Sequence, residues 1–340
     1  MYVILIDSGT TNTRIRLVSY DYHVVDAIKL KVGVRNSAID GRNDRLKREI
    51  HSGIKEIINK NQLTPKQVTF IVASGMITSN LGLYEVPHIT APAKINDFIK
   101  NAKVIQSNEF LQIPCLFIPG LKNQANELFI DSLQDIDEMD VMRGEEVEAL
   151  GLLKQLSPKG KGIMVLPGSH TKYLLIDENQ SFLSSCTTLG GEVIQAIRSN
   201  TILSSSLGER LLETVDLTSL LAGFRSAKKV GLTRSFFHIR LLQLSSNLTE
   251  NERANYYVGA VLQSDIAALD SFIKDRHEID WMIVGGASPL RRAFVHVLKT
   301  EYREIDIIEA DDSQAELSLV HGAMELGKNY FEMIEGGAPR

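Results

Sequence analysis

Tyr2-Val3-Ile4-Leu5-Ile6-Asp7-Ser8-Gly9-Thr10-Thr11-Asn12-Thr13-Arg14 decides how the chain is read: an apolar strand ends on an acid, turns through small hydroxylated residues and re-enters a strand. A hairpin of this form can wrap anionic oxygens. Gly9 lets backbone amides approach, Thr10 and Thr11 offer hydroxyl donors between Ser8 and Asn12, and Asp7 can hold Mg2+ directly or through water. Taken alone, the stretch reads equally as a plain β-turn whose hydroxyls bond the local backbone.

Working outward, short apolar runs at 3–6, 15–18 and 24–30 predict three consecutive strands. Leu46, Ile50, Ile54, Ile57 and Ile58 recur at helical spacing and predict a helix over 45–59. A buried strand over 66–73 follows, ended by Gly75. A second block repeats the order, with strands at 162–166, 172–176 and 181–186, then helical patterns at 189–198, 216–244 and 249–274. Strand 281–284, helix 288–299, strand 305–308 and helix 314–329 complete it. Two such blocks predict an α/β protein of duplicated architecture, two lobes with a cleft between them. Ser157-Pro158-Lys159-Gly160-Lys161-Gly162 is rich in turn formers and marks the boundary between a lobe of 1–158 and a lobe of 159–340. The tail from 335 is expected to fray.

Composition narrows the function. With 340 residues, 44% hydrophobic and 23% charged, the chain is long enough for two domains with cores of their own. A net charge of −5 argues against a nucleic-acid or anionic-membrane partner, since such binding draws on clustered lysine and arginine. Only Cys115 and Cys186 occur, and the eight histidines form no His-Glu-x-x-His pattern, so a metal is expected to arrive with a nucleotide. No run approaches the ~20 apolar residues that span a bilayer, and Asp7 interrupts the N-terminal run short of a secretory segment. A cytoplasmic protein is the expectation, with a homodimer left open.

Three further stretches carry chemistry. In Val141-Met142-Arg143-Gly144-Glu145-Glu146, Gly144 breaks the loop and both acids enter the first turn of a helix with the apolar stripe Val147, Leu150 and Leu153. The helix dipole favours acids there, and one of them can equally accept the proton of an attacking hydroxyl. Leu166-Pro167-Gly168-Ser169-His170-Thr171-Lys172 reads as a second hairpin able to contact phosphates, although Pro167 removes one amide donor. Ile283-Val284-Gly285-Gly286-Ala287-Ser288-Pro289 is a strand opening through small residues into a helix, where a flat base can lie on the backbone and Ser288-Pro289 suits an N-cap and first helical position. Neither a P-loop nor a Gly-x-Gly-x-x-Gly motif is present.

The order of these pieces resembles that of the acetate and sugar kinase/heat-shock/actin superfamily. More narrowly, the sequence resembles the 2-dehydro-3-deoxygalactonokinase family, through Asp7 to Arg14, Gly75-Met76-Ile77-Thr78-Ser79-Asn80-Leu81-Gly82, Ile118-Pro119-Gly120, Met142 to Glu146 and Leu166 to Lys172. The resemblance implies two ribonuclease-H-like lobes (the actin-like ATPase fold) and ATP- and Mg2+-dependent phosphorylation of the 6-hydroxyl of a small sugar acid, 2-dehydro-3-deoxy-D-galactonate. On it, Glu145 is the base with Glu146 as alternative, and Asp7 organises Mg2+. Ser8, Gly9, Thr10, Thr11, Asn12, Gly168, Ser169, His170 and Thr171 hold phosphates, and Gly285, Gly286 and Ala287 receive the adenosine. Thr78, Ser79 and Asn80 bind sugar hydroxyls, and Arg143 pairs with the substrate carboxylate bidentately. The segment 121–140, with Glu127, Asp131, Asp135, Asp137, Glu138 and Asp140, is long and acidic for its place.

Two rivals share the fold. A phosphohydrolase of the exopolyphosphatase kind has a similar first hairpin but needs a basic channel, which the acidic balance disfavours. A nucleotide- or sugar-responsive regulator usually carries an added module, for which no room is expected before Tyr2 or after Asn329.

Overall fold

Asp7 stands near the end of β1 (Tyr2–Ser8), the strand around which the first sheet is built. In the computed structural model, which describes residues 1–124, 133–208, 210–273 and 278–335, β1 pairs antiparallel with β2 (Thr13–Ser19), and β2 with β3 (Val24–Leu30). Helices α1 (Val34–Asp40) and α2 (Asp44–Lys60) follow. A 3-10 turn, Pro65–Gln67, takes the first positions of the strand expected from 66, and β4 (Val68–Gly75) pairs parallel with β1. Beyond it come β5 (Ile89–Thr90), α3 (Ile95–Asn101), β6 (Lys103–Ile105), β7 (Cys115–Phe117), β8 (Leu121–Lys122), β9 (Val141–Met142) and α4 (Glu145–Leu156). The main sheet runs β3-β2-β1-β4-β7-β6, and β5-β8-β9 form a small one.

The second sheet repeats the plan. β10 (Gly162–Leu166) pairs antiparallel with β11 (Thr171–Ile176), and β12 (Phe182–Thr188) lies beyond. Helices α5 (Gly190–Asn200), α6 (Leu217–Val230), α7 (Leu232–Ser245) and α8 (Glu250–Phe272) intervene before β13 (Trp281–Val284), α9 (Leu290–Glu301), β14 (Asp306–Glu309) and α10 (Asp312–Glu335). The order is β12-β11-β10-β13-β14, so a parallel strand again joins the first strand of an antiparallel pair. The helical pattern over 216–244 is divided by Gly231 at φ +83°. Thr249 and Glu252 form a capping box that starts α8. Ser288 and Pro289 do not serve as N-cap and first helical residue: Pro289 takes the N-cap position and α9 begins at Leu290 without a side-chain cap.

By contacts, the chain divides into Met1–Ser157 with Gln180–Ser184 and Leu317–Arg340, and Pro158–Asn179 with Ser185–Glu316. The backbone therefore changes unit four times, whereas the lobes read from the sequence require one change near 158. Glu127, Asp131, Lys274 and the tail 336–340 lie outside the described residues. Among those described, no helix is long and apolar enough to cross a membrane.

In the first unit, alternation along the strands sorts the two faces of the sheet. Ile4, Ile6, Ile15 and Leu17 join Leu46, Ile50, Ile54 and Ile57 of α2 in one core. Asp7 belongs to the other parity, opposite Arg14. On β4, Phe70 stacks on Phe331 of α10, with ring centroids 4.6 Å apart. Helices α4 and α10 meet backbone to backbone: a Cβ on Gly151 would lie 1.7 Å from the Ser318 carbonyl oxygen, and one on Gly322 would lie 1.9 Å from that of Val147. Gly151→Ala is expected to destabilise by about 1–3 kcal/mol, the usual range for overpacking. Urea denaturation checks this, and an unchanged midpoint would refute the close contact.

Candidate active site

Three backbone segments of the first unit converge beside Asp7. Gly75, at the end of β4 with φ +81°, leaves no room for a side chain, since a Cβ would lie 2.6 Å from the Ser8 carbonyl oxygen and 3.4 Å from Asp7 Oδ1. A Cβ on Gly144, at φ +114°, would in turn stand 3.2 Å from Gly75 Cα. The two glycines thus bring the ends of β1 and β4 against the start of α4. Burial of the Asp7 carboxyl is the main cause that pushes its pKa up; Arg16 and Arg14 oppose the shift, and the nearby Glu145 carboxylate adds to it.

The two acids of α4 have different environments. Both carboxylate oxygens of Glu146 accept the Gly144 N–H at 2.8 Å, and the residue is fully buried. Burial, with repulsion from Glu145 second, drives its pKa up to about 7. Glu145 is partly exposed, and its Oε2 accepts the Arg143 N–H at 3.2 Å.

Arg143 points inward. Its Nη1 donates to the carbonyl and hydroxyl oxygens of Thr78, and its Nη2 to the Val86 carbonyl at 3.0 Å and His88 Nδ1 at 3.2 Å. All four N–H groups of the two terminal nitrogens are engaged within the protein. A bidentate grip on a substrate carboxylate through those nitrogens would have to break these bonds. The Thr78 and Ser79 side chains are likewise turned to the backbone, donating to the carbonyls of Gly75 at 3.1 Å and Met76 at 2.7 Å. Thr78 and Ser79 are buried; of the three residues read as sugar contacts, Asn80 is exposed.

At the first hairpin, the Gly9 N–H donates to the Asn12 carbonyl at 2.9 Å and closes the turn, leaving Thr10 and Thr11 exposed and Gly9 and Asn12 partly so. Asn12 Nδ2 donates to Thr11 Oγ1 at 2.9 Å. Ser8 departs from the sequence reading. It pairs with Thr13 on the α2 side of the sheet, fully buried, in a hydroxyl chain in which Thr13 Oγ1 bonds Ser8 Oγ at 2.8 Å and donates to the Val32 carbonyl at 2.8 Å. Its side chain cannot meet a phosphate there, which leaves the hairpin hydroxyls to Thr10 and Thr11.

In the second unit, Gly168 and Ser169 are exposed at the hairpin tip. His170 Nε2 lies 3.2 Å from Glu192 Oε1 in a surface pair. Thr171 is buried and donates to Asp265 Oδ2 at 3.2 Å. Asp265 escaped the sequence reading. It sits among the buried Leu262, Ile266 and Leu269 of α8, and burial lifts its pKa to about 6; an acid inside an apolar stripe was the available signal. The Gly285–Ala287 turn is anchored by Gly285 N–H on the Val165 carbonyl at 2.9 Å and by Arg291, which donates to the Gly286 carbonyl at 2.9 Å. Arg291 is buried and also meets Glu309 at 3.2 Å and Asp312.

The family model described as 2-keto-3-deoxy-galactonokinase matches residues 7–319. A 2-dehydro-3-deoxygalactonokinase of Escherichia coli (strain K12) is 23% identical over 286 residues, covering 84% of this chain and 85% of that one. Among solved structures, a Sinorhizobium meliloti protein provisionally described as a 2-dehydro-3-deoxygalactonokinase superposes with a TM-score of 0.72 at 19% identity, over 96% of this chain and 99% of the other. The ADPNP-bound activator of 2-hydroxyisocaproyl-CoA dehydratase from Clostridium difficile does so at 0.51 and 13% identity, over 100% and 99%. The fold is thus the actin-like ATPase fold that sugar kinases share.

Proposed function

The chain belongs to the 2-keto-3-deoxy-galactonokinase family, and on that premise we propose that it phosphorylates the 6-hydroxyl of 2-dehydro-3-deoxy-D-galactonate with the γ-phosphate of ATP. Membership makes it a phosphotransferase with an alcohol acceptor. The observation that supports the finer reading is the close approach of Gly144, at the start of α4, to Gly75, which itself lies against Asp7 and Ser8, beside a hairpin that displays two threonine hydroxyls.

Glu145 accepts the proton of the 6-hydroxyl as the oxygen attacks the γ-phosphorus and the bond to ADP breaks. The transition state is loose, so placement of the hydroxyl matters more than basicity. Among the described residues no group of three or more acidic, histidine or cysteine side chains could hold a metal alone. Asp7, a partly buried carboxylate near the end of β1 beside the proposed phosphate turn, is the residue we propose would hold Mg2+ together with phosphate oxygens. When bound, Mg2+ neutralises phosphate charge. Thr10, Thr11 and the Gly9 to Asn12 turn in the first unit, and Gly168 to His170 with Gly285 to Ala287 in the second, are the proposed nucleotide contacts; the Thr171 hydroxyl, buried and given to Asp265, is withdrawn from them as that of Ser8 is.

A coupled ADP-release assay with Mg-ATP tests the reading against 2-dehydro-3-deoxygalactonate, its gluconate-derived epimer, glycerol, aldoses and water alone. Release confined to the galactonate-derived acid is expected. Equal turnover of the epimer would remove that substrate assignment while leaving a kinase, and release in water alone would turn the reading to a phosphohydrolase.

A further inference from the structure

Arg143 lies in the same motif as the proposed base, yet its guanidinium is engaged by Thr78, Val86 and His88 of the protein itself. The guanidinium reaches back 65 residues to Thr78 and more than 50 to Val86 and His88. The segment 76–88 is wound around it. Within that segment the Val86 N–H donates to the same Thr78 carbonyl at 2.9 Å, and the Leu83 N–H to that of Ile77 at 2.8 Å. At the other end of the residue, its own N–H meets Glu145 Oε2, and the next N–H, that of Gly144, meets Glu146. One residue therefore ties the loop after β4 to the turn that aims the first two side chains of α4. Backbone carbonyls and an imidazole nitrogen take the fork's hydrogen bonds, and the carboxylates of Glu146 and of Glu85, in the same loop, favour its charge against the cost of burial.

We propose that Arg143 is a positioning residue for Glu145, setting the base turn against the 76–88 loop, and that it does not bind the substrate carboxylate. The inference rests on the reading of Glu145 as base. Displacement of a reacting group by about 1 Å can cost on the order of 100-fold in rate. Loss of the fork should therefore appear in kcat, while the substrates, held by other groups, keep their affinities.

Steady-state kinetics of Arg143→Met, Arg143→Lys, Thr78→Val and Glu145→Gln in the full chain, normalised to folded protein by near-UV circular dichroism, form the test. Arg143→Met is expected to lower kcat by about 100-fold with KM for ATP and for the sugar acid each within about threefold. Arg143→Lys, which keeps donors for the Thr78 and Val86 carbonyls, is expected to recover part of the loss, and Thr78→Val to lose part of kcat in the same way. A KM for the sugar acid raised tenfold or more at unchanged kcat would overturn the inference in favour of direct substrate binding. Wild-type kcat per folded molecule in both Arg143→Met and Thr78→Val would reduce Arg143 to a stability role. Should Arg143→Met fail to fold, Thr78→Val and Arg143→Lys decide, with unchanged kcat in both counting against the proposal. The Glu145→Gln arm separates the two claims: if it keeps activity, the base assignment fails; if it loses activity while the others keep it, only the positioning claim fails.

Discussion

Glu145→Gln is expected to lower kcat by about 1,000-fold, inside the range typical of a lost general base, whereas Glu146→Gln should stay within about tenfold of the parent. The acids are neighbours in the sequence, but their surroundings divide the work. Glu146 is fully buried, with both oxygens turned to the Gly144 N–H. Its burial, more than that contact, keeps a substrate hydroxyl from it, since each oxygen retains acceptor capacity. Glu145 is partly exposed on the side of the Gly75–Gly144 contact where Asp7 lies, close enough to raise the Asp7 pKa. A pKa of about 7 makes Glu146 attractive as a base on Brønsted grounds, but reach comes before basicity, and the partial exposure of Glu145 against the full burial of Glu146 favours Glu145 in our proposal. Single-turnover and steady-state rates of both variants with Mg-ATP and the keto-deoxy acid decide the matter. The reverse ranking would move the base to Glu146 and remove the positioning role drawn for Arg143.

What the sequence showed and what it hid have physical causes. β1 and β2 are readable as short apolar runs between turns, and α2 and α4 because apolar residues recur at helical spacing. Strands β5, β8 and β9 have two residues each and carry no period. The motif around Gly144 located the acids correctly, but the fate of Arg143 depended on carbonyl groups more than 50 residues away, and any residue supplies a carbonyl. Ser8 is instructive for the opposite reason. Ile4, Ile6 and Ser8 alternate onto the face that α2 covers, so strand parity alone already turned the Ser8 hydroxyl away from the ligand side. The residue type suggested phosphate contact, and the register overruled it. In the sequence Gly75 reads only as a strand terminator; the contact that a side chain there would violate depends on Ser8 and Asp7, which lie on a neighbouring strand.

Glu146 also gives the second large effect, in stability rather than rate. Its folded pKa of about 7 lies above the ordinary glutamate value of 4.5, so between those pH values the native state holds a proton that the unfolded chain has released. Stability is then fully present below about pH 4.5 and falls as pH rises through about 7. A shift of this size corresponds to roughly 3 kcal/mol lost by pH 8, taken as an upper limit. Glutamine keeps the shape and a carbonyl acceptor for Gly144 N–H but carries no charge to desolvate. Glu146→Gln is therefore expected to match the parent within about 1 kcal/mol at pH 5 and to exceed it by up to about 3 kcal/mol at pH 8. Urea denaturation of both proteins at the two pH values measures the difference directly. A variant less stable by the same amount at both would mean that Glu146 is held as a carboxylate throughout, with the paired bonds to Gly144 outweighing its burial. The retention of so costly an acid beside Glu145 would then be explained by the hydrogen bonds that fix the Gly144 turn, and the raised pKa would have no part in it.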